Sequence, residues 1–285
     1  MPSTCSRTNE LYILIDPGVE TYYENGKPYL PVGLTRCCGL PFSKYNLYEL
    51  LKLSLDEIFN LPIQTHNNKK HVVCNDNCCF KEIKKVYLGI MNICNLKCYH
   101  CSALFDKKTK INNYSDLLFK FLEKLKNANL DLISFDNSGE IFLAYDRLVE
   151  YLKSISPQTT KNIKLITNGT LATRERLKKL KQISDETGVQ YQFIFSIDGI
   201  TKETYEATRV GSNFKEVINN LMYCSGLFWD TTVSFTIKET NKTDAENIEK
   251  IKRFFRPRCH HVFFNIDIYD QENMKQYFPT SEKWR

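Results

Sequence analysis

Cys94, Cys98 and Cys101 place three thiols on one short stretch, Cys94-Asn95-Leu96-Lys97-Cys98-Tyr99-His100-Cys101, at the spacing C-x3-C-x2-C. A cubane of four irons and four sulfides needs four ligands to close its coordination. Three thiolates leave one iron open, and an open iron can bind and activate a small molecule. A structural zinc site requires a fourth donor, as a second C-x2-C pair or a Cys/His pair would supply. His100 is the nearest, but it is wedged between two of the cysteines and badly placed to complete a tetrahedron. Three buried thiols near a strand end are the plainer alternative, and chance rarely delivers this spacing.

The elements that must carry this loop are legible from about residue 84 onward. Val86–Ile90 reads as a strand, and the cysteine loop follows it. Apolar residues Leu117, Leu118, Phe121, Leu122 and Leu125 then recur at helical spacing over Asp116–Lys126. Further strands are expected at Leu132–Phe135, Ile163–Thr167, Phe193–Ile197, Thr232–Ile237 and Val262–Ile266. Helices are expected at Leu148–Ile155, Arg174–Glu186 (with Gly188 as C-terminal cap), Phe214–Tyr223 and Ala245–Phe255. Short connections between these repeats argue for parallel strands with right-handed crossover helices. Several strands are nearly continuous apolar runs, as expected when both faces are covered. Periodicity leaves an open doubly wound sheet and a partial barrel both standing. In either, chemistry belongs at the C-terminal strand ends, where the cysteine loop lies.

Residues 1–83 have a different character. A β-like start at Leu11–Ile15 leads to Glu24-Asn25-Gly26-Lys27, a hairpin turn signal. A helical stretch runs from Leu47 to Phe59. Six cysteines (Cys5, Cys37, Cys38, Cys74, Cys78 and Cys79) fall in this segment, which points to a module stapled by metal rather than by a large core. The expected division is a cysteine-rich module over 1–83 and a second domain over 84–285.

Bulk composition narrows the function classes. Of 285 residues, 42% are apolar and 13% aromatic, enough for a packed core and against general disorder. No run of 18 or more apolar residues is present, so no membrane span is expected. The first residues lack the apolar stretch and cleavage site of a secretory signal, and a cytoplasmic location is expected. A reducing cytosol disfavours disulfides, so eleven cysteines favour metal ligation. The net charge of +6 permits an acidic partner without requiring one. Lysines such as Lys120, Lys124, Lys178, Lys179 and Lys181 lie at helical positions and read as solvated faces, so nucleic acid is not expected as a partner.

The cysteine loop resembles that of the radical S-adenosylmethionine (radical SAM) enzymes, and the resemblance extends over roughly residues 84–270. The resemblance implies an α/β fold with a partial (β/α)6 TIM-like barrel, preceded here by the small cysteine-rich module. Members carry a Gly-Gly-Glu-like motif after the second strand, and Asn137-Ser138-Gly139-Glu140 stands in that place, with Ser138 for the first glycine. By resemblance, Gly139, Glu140 and the adjacent backbone hold the methionyl amino group. Asn168, in Thr167-Asn168-Gly169, and Ser196 and Asp198, in Ser196-Ile197-Asp198-Gly199, look like further family features, although either Gly-containing pair alone is an ordinary turn signal. Ser196 and Asp198 are candidates for contact with the ribose or methionyl part. Arg209 resembles the arginine that meets the methionyl carboxylate, a task suited to its planar fork.

The resemblance implies that a reduced [4Fe-4S] cluster on Cys94, Cys98 and Cys101 cleaves S-adenosylmethionine, and that the resulting 5′-deoxyadenosyl radical takes a hydrogen from substrate. It implies an electron donor, a reductase or a flavodoxin or ferredoxin. The N-terminal cysteines loosely resemble the auxiliary-cluster modules called SPASM or twitch domains, although those follow the core rather than precede it. An auxiliary [4Fe-4S] cluster bound by four of Cys5, Cys37, Cys38, Cys74, Cys78 and Cys79 is expected, with zinc the competing occupant. Such members often modify peptides or protein side chains, and others act on sugars or nucleosides, so a peptide or small-molecule substrate is expected. Cys224, at the end of a helix, is a candidate hydrogen donor of the kind used by radical SAM epimerases, set against the plainer role of a buried thiol. A non-enzymatic iron–sulfur or zinc protein is the competing class.

Overall fold

The computed structural model describes residues 10–15, 22–24, 27–29, 31–36, 42–59, 61, 84–89, 93–98, 101, 115–135 and 139–266. Six parallel strands form its main body: β6 (Lys85–Leu88), β7 (Leu130–Phe135), β8 (Thr160–Thr167), β9 (Gln190–Ser196), β10 (Asp230–Ile237) and β11 (His261–Ile266). They lie side by side in chain order, β6 to β11, with no reversal. A doubly wound sheet reverses its order at a switch point. Winding in one direction instead puts every crossover helix on the same side, so the partial-barrel alternative is the one adopted.

The two faces of the sheet differ sharply. On one side Ile163, Leu165, Tyr191, Phe193, Phe195, Val233, Phe235 and Ile237 are fully buried beneath helices. These helices are α3 (Ser115–Lys124), α4 (Tyr145–Ser154), α5 (Arg174–Thr187), α7 (Phe214–Leu227) and α9 (Ile248–Phe255). On the other side Lys164, Gln192, Ile194, Ser196, Thr232, Ser234 and Thr236 are half-buried. Lys164 Nζ lies 5.0 Å from the centre of the Tyr87 ring, two strands away. The expectation of strands covered on both faces is corrected here. Only the helix side is uniformly apolar and sealed, and the inward side is mostly polar and half-buried.

Local chemistry sets the helix ends. Thr173 accepts a hydrogen bond from the Arg176 backbone to start α5, and Gly188 ends it at φ 75°, the left-handed conformation that favours glycine. One further helix, α6 (Lys202–Thr208), is inserted between β9 and α7 and begins with a capping box between Thr201 and Thr204. The stretch expected to be helical over Ala245–Phe255 is split, with a short α8 at Lys242–Ala245 and α9 beginning at Ile248.

The sheet does not stop at residue 83. Strand β1 (Glu10–Ile15) pairs in parallel with β6 and antiparallel with β4 (Pro31–Arg36), which pairs in turn with β5 (Phe42–Asn46). Strands β2 (Tyr22–Glu24) and β3 (Lys27–Tyr29), on either side of the expected hairpin turn, pair antiparallel with Glu24 opposite Lys27. Helices α1 (Leu47–Leu50) and α2 (Leu55–Phe59) replace the single expected helix. The interruption falls at Ser54, whose side chain and backbone exchange hydrogen bonds with Glu57. Leu47, Leu50 and Ile58 join the same buried core as the parallel strands. Cys5, Cys37, Cys38, Cys74, Cys78 and Cys79 lie outside the described residues. Among the described helices none is long and apolar enough to cross a membrane.

Candidate active site

Three segments at the C-terminal strand ends grip the cysteine loop. After β7, Glu140 donates its backbone N–H to the Ile93 carbonyl at 2.7 Å. After β8, Asn168 donates through Nδ2 to Cys94 Sγ at 3.5 Å and to Asn95 Oδ1 at 3.0 Å. Asn95 in turn donates to Thr170 Oγ1 at 2.8 Å. After α6, the Val210 carbonyl accepts from Lys97 N at 2.9 Å. The described part of the loop is thus held by backbone and amide groups from three segments.

The three thiols are free and lie within electrostatic reach of one another, with Cys98 buried and Cys94 and Cys101 half-buried. Each of two thiols faces donors: Cys94 Sγ accepts from Leu96 N at 3.4 Å as well as from Asn168. Cys98 Sγ accepts from Arg209 Nη1 at 3.8 Å. Burial pushes the Cys98 thiol up to about 11, against the opposing pull of Arg209, and burial also raises Cys94. A bound metal reverses this, because coordination deprotonates a thiol outright. Among the described residues no three His, Cys, Asp or Glu side chains are arranged to hold a single metal ion. A cubane makes no such demand, since its protein thiolates bind different irons. The donor set therefore fits a cluster: soft thiolates with N–H groups aimed at sulfur.

Glu140 is almost wholly buried, and its carboxylate accepts from Thr167 Oγ1 and Asn168 N, each at 2.7 Å, and from Phe142 N at 3.2 Å. Burial raises its pKa, and these bonds work against that shift. An ionised carboxylate offers about four acceptor sites, so Glu140 spends most of its capacity on the protein. Gly139 precedes it at φ 76°, and Ser138 lies outside the described residues. Ser196 stands half-buried on the inward face at the end of β9.

Asp198 and Arg209 form one unit. Asp198 is fully buried, 2.7 Å from Arg209 Nη2, and its other oxygen accepts from Thr236 N at 2.7 Å. Burial disfavours the Arg209 charge, but Asp198 and then Cys98 more than compensate and hold its pKa above the usual value. Among the described residues, Arg209 Nε is buried with no hydrogen-bond partner. A buried N–H is rarely left unpaired. Asp198 thus holds both Arg209 and the β10 backbone.

Sequence reasoning missed the residues that lock this corner. Asn241 Nδ2 donates to the Asp198 and Thr236 carbonyls, each at 2.8 Å. Asp244 accepts from Ile200 N at 2.9 Å and from Thr204 Oγ1 at 2.5 Å. Gly199 lies against α6 so closely that an added Cβ would stand 2.5 Å from Tyr205 N and 2.7 Å from its Cα. Gly199→Ala is expected to cost about 1–3 kcal/mol of stability, read as a lower urea midpoint with unchanged slope.

Cys224, the hydrogen-donor candidate, occupies the position of a buried thiol. It is fully buried on α7 with Val217 and Leu221, and its Sγ accepts from Thr231 Oγ1 at 3.7 Å. That is the helix side of the sheet, whereas a hydrogen donor must face the substrate. Cys259 is likewise buried, its Sγ directed at the Phe255 and His261 carbonyls.

A model of the radical SAM superfamily matches residues 88–254, well over half of the chain. A probable GTP 3′,8-cyclase of Methanococcus maripaludis is 29% identical over 139 residues, covering 48% of this chain and 44% of that protein. The crystal structure of Streptococcus suis SuiB bound to precursor peptide SuiA superposes with a TM-score of 0.52 at 13% identity, covering 91% of this chain and 64% of that one. The chain thus spans less than half the length of this curated relative.

Proposed function

Because the chain belongs to the radical SAM superfamily, we propose that it is an enzyme that takes a hydrogen atom from a peptide or protein side chain after reductive cleavage of S-adenosylmethionine. The family implies a [4Fe-4S] cluster and S-adenosylmethionine as cofactors, and Cys94, Cys98 and Cys101 are the residues to hold the cluster. The cluster, when bound, supplies the electron that breaks the sulfonium carbon–sulfur bond.

The observation that carries this reading is Arg209 Nε, unpaired among the described residues and buried beside Cys98 at the C-terminal strand ends. A carboxylate arriving there meets a fork already oriented by Asp198, so little side-chain freedom is lost on binding. Glu140 retains acceptor capacity for an ammonium group, and Ser196 adds a hydroxyl on the inward face. Thr167 and Asn168 hold Glu140 in place. The inward face itself, with Lys164, Gln192, Thr232, Ser234 and the exposed Phe263, suits a polar substrate with an aromatic contact.

A peptide substrate is supported by the likeness to SuiB, which was solved with a precursor peptide. A nucleotide or sugar is the second reading, favoured by the similarity to a probable GTP 3′,8-cyclase. A flavodoxin, ferredoxin or reductase in the cytoplasm would deliver the electron. The test is anaerobic reconstitution with iron and sulfide, reduction, and chromatographic assay for 5′-deoxyadenosine. Brown protein that forms it supports the reading, and colourless protein that forms none overturns it. Mass spectra of candidate peptides and nucleotides after reaction then separate the two substrate classes.

We further propose an auxiliary cluster on four of Cys5, Cys37, Cys38, Cys74, Cys78 and Cys79, with Cys38, Cys74 and Cys78 the leading ligands. Cys74→Ala is expected to lose about four irons per chain while 5′-deoxyadenosine formation continues. Unchanged iron content in that variant would remove Cys74 from the ligand set.

A further inference from the structure

Arg209 does more at this corner than wait for a carboxylate. Its three nitrogens have three different surroundings. Nη2 is 2.7 Å from the Asp198 carboxylate, Nη1 is 3.8 Å from Cys98 Sγ, and Nε has no partner among the described residues. The side chain is 9% exposed and that of Asp198 is not exposed at all, so water screens neither. Backbone bonds fix the stem: Arg209 N donates to the Tyr205 carbonyl at 2.8 Å, and Ser212 N donates to the Arg209 carbonyl at 3.1 Å.

The two sulfurs with resolved donors are therefore unequal. Among the described residues Cys94 receives two neutral donors, Asn168 Nδ2 and Leu96 N. Cys98 receives a guanidinium whose position is set by a fully buried carboxylate. Hydrogen bonds to sulfur and nearby charge are the levers by which a protein sets the potential of an iron–sulfur centre. A cation stabilises the reduced state, which carries one more negative charge.

Resting on the cluster assignment above, we propose that Arg209, oriented by Asp198, raises the reduction potential of the cluster through Cys98. Arg209 is thus a tuning residue as well as a ligand-binding one. Removing its charge makes the cluster harder to reduce. Keeping the charge on a different head group preserves most of the effect.

The test is a potentiometric titration of reconstituted protein without S-adenosylmethionine, followed by electron paramagnetic resonance. Arg209→Gln is expected to lower the midpoint by a tenfold change in the reduced fraction, about 59 mV for a one-electron couple. Arg209→Lys is expected to move it less than half as far. A second measurement needs no variant. Wild-type protein labelled with [15N]arginine should show a weak nitrogen coupling to the reduced cluster in pulsed spectra. Full iron content with an unmoved midpoint in Arg209→Gln overturns the tuning role alone. So does a labelled wild-type cluster with no arginine coupling. Wild-type protein that takes up no iron overturns the cluster assignment as well.

Discussion

Replacing Cys98 by alanine is expected to abolish the cluster at this site and with it the cleavage of S-adenosylmethionine. Cys98 is the middle ligand of the loop and the most buried of its three thiols, at 5% exposure. Its removal leaves two thiolates for a cluster that is held by three. Iron should fall by about four per chain, and 5′-deoxyadenosine formation should drop to background, a loss of about a millionfold or more. Iron analysis and chromatography read the two effects separately. Cys224→Ala is the matched control, because that thiol is buried on the helix side of the sheet. It should keep both iron and cleavage. Retained cleavage in Cys98→Ala would remove Cys98 from the ligand set.

Asp198→Ala is expected to be the most destabilising single change at the site. The deletion leaves the Arg209 guanidinium buried without its counter-charge, 9% exposed. It also strips the Thr236 N–H of its acceptor. Breaking a buried ion pair from one side costs about 3–5 kcal/mol, because the remaining charge has lost its water and its partner. This is the penalty of an orphaned charge, not the net worth of the pair. Urea unfolding of the metal-free protein measures it. A loss below about 1 kcal/mol, the range of exposed pairs, would contradict the buried arrangement.

Much of this site could be read from residue order. The cysteine spacing, the strand that leads into it and the Thr167-Asn168-Gly169 and Asp198-Gly199 turns are local features, and all lie at the C-terminal strand ends. What stayed hidden depends on contacts between distant segments. Nothing near Asp198 in sequence announces that Arg209 will neutralise it. Helix α6, which delivers Arg209, spans seven residues, too few for a hydrophobic period. Its trace was the Thr201–Thr204 capping pair. Strand β4 escaped because Pro31 and Gly33 depress its strand character. The polar inward face was masked by Ile194, which made Phe193–Ile197 look apolar on both sides. Cys224 carried a usable signal: with Val217 and Leu221 it completes a helical stripe, the pattern of a core position.

The most direct measurement is electron–nuclear double resonance on the reduced cluster of the reconstituted protein, with S-adenosylmethionine labelled with 15N at its amino group. An iron that lacks a protein ligand should take that nitrogen, giving a strong coupling that Cys98→Ala abolishes. A cluster that forms at full iron content yet shows no coupling to the label would contradict an open coordination site among Cys94, Cys98 and Cys101.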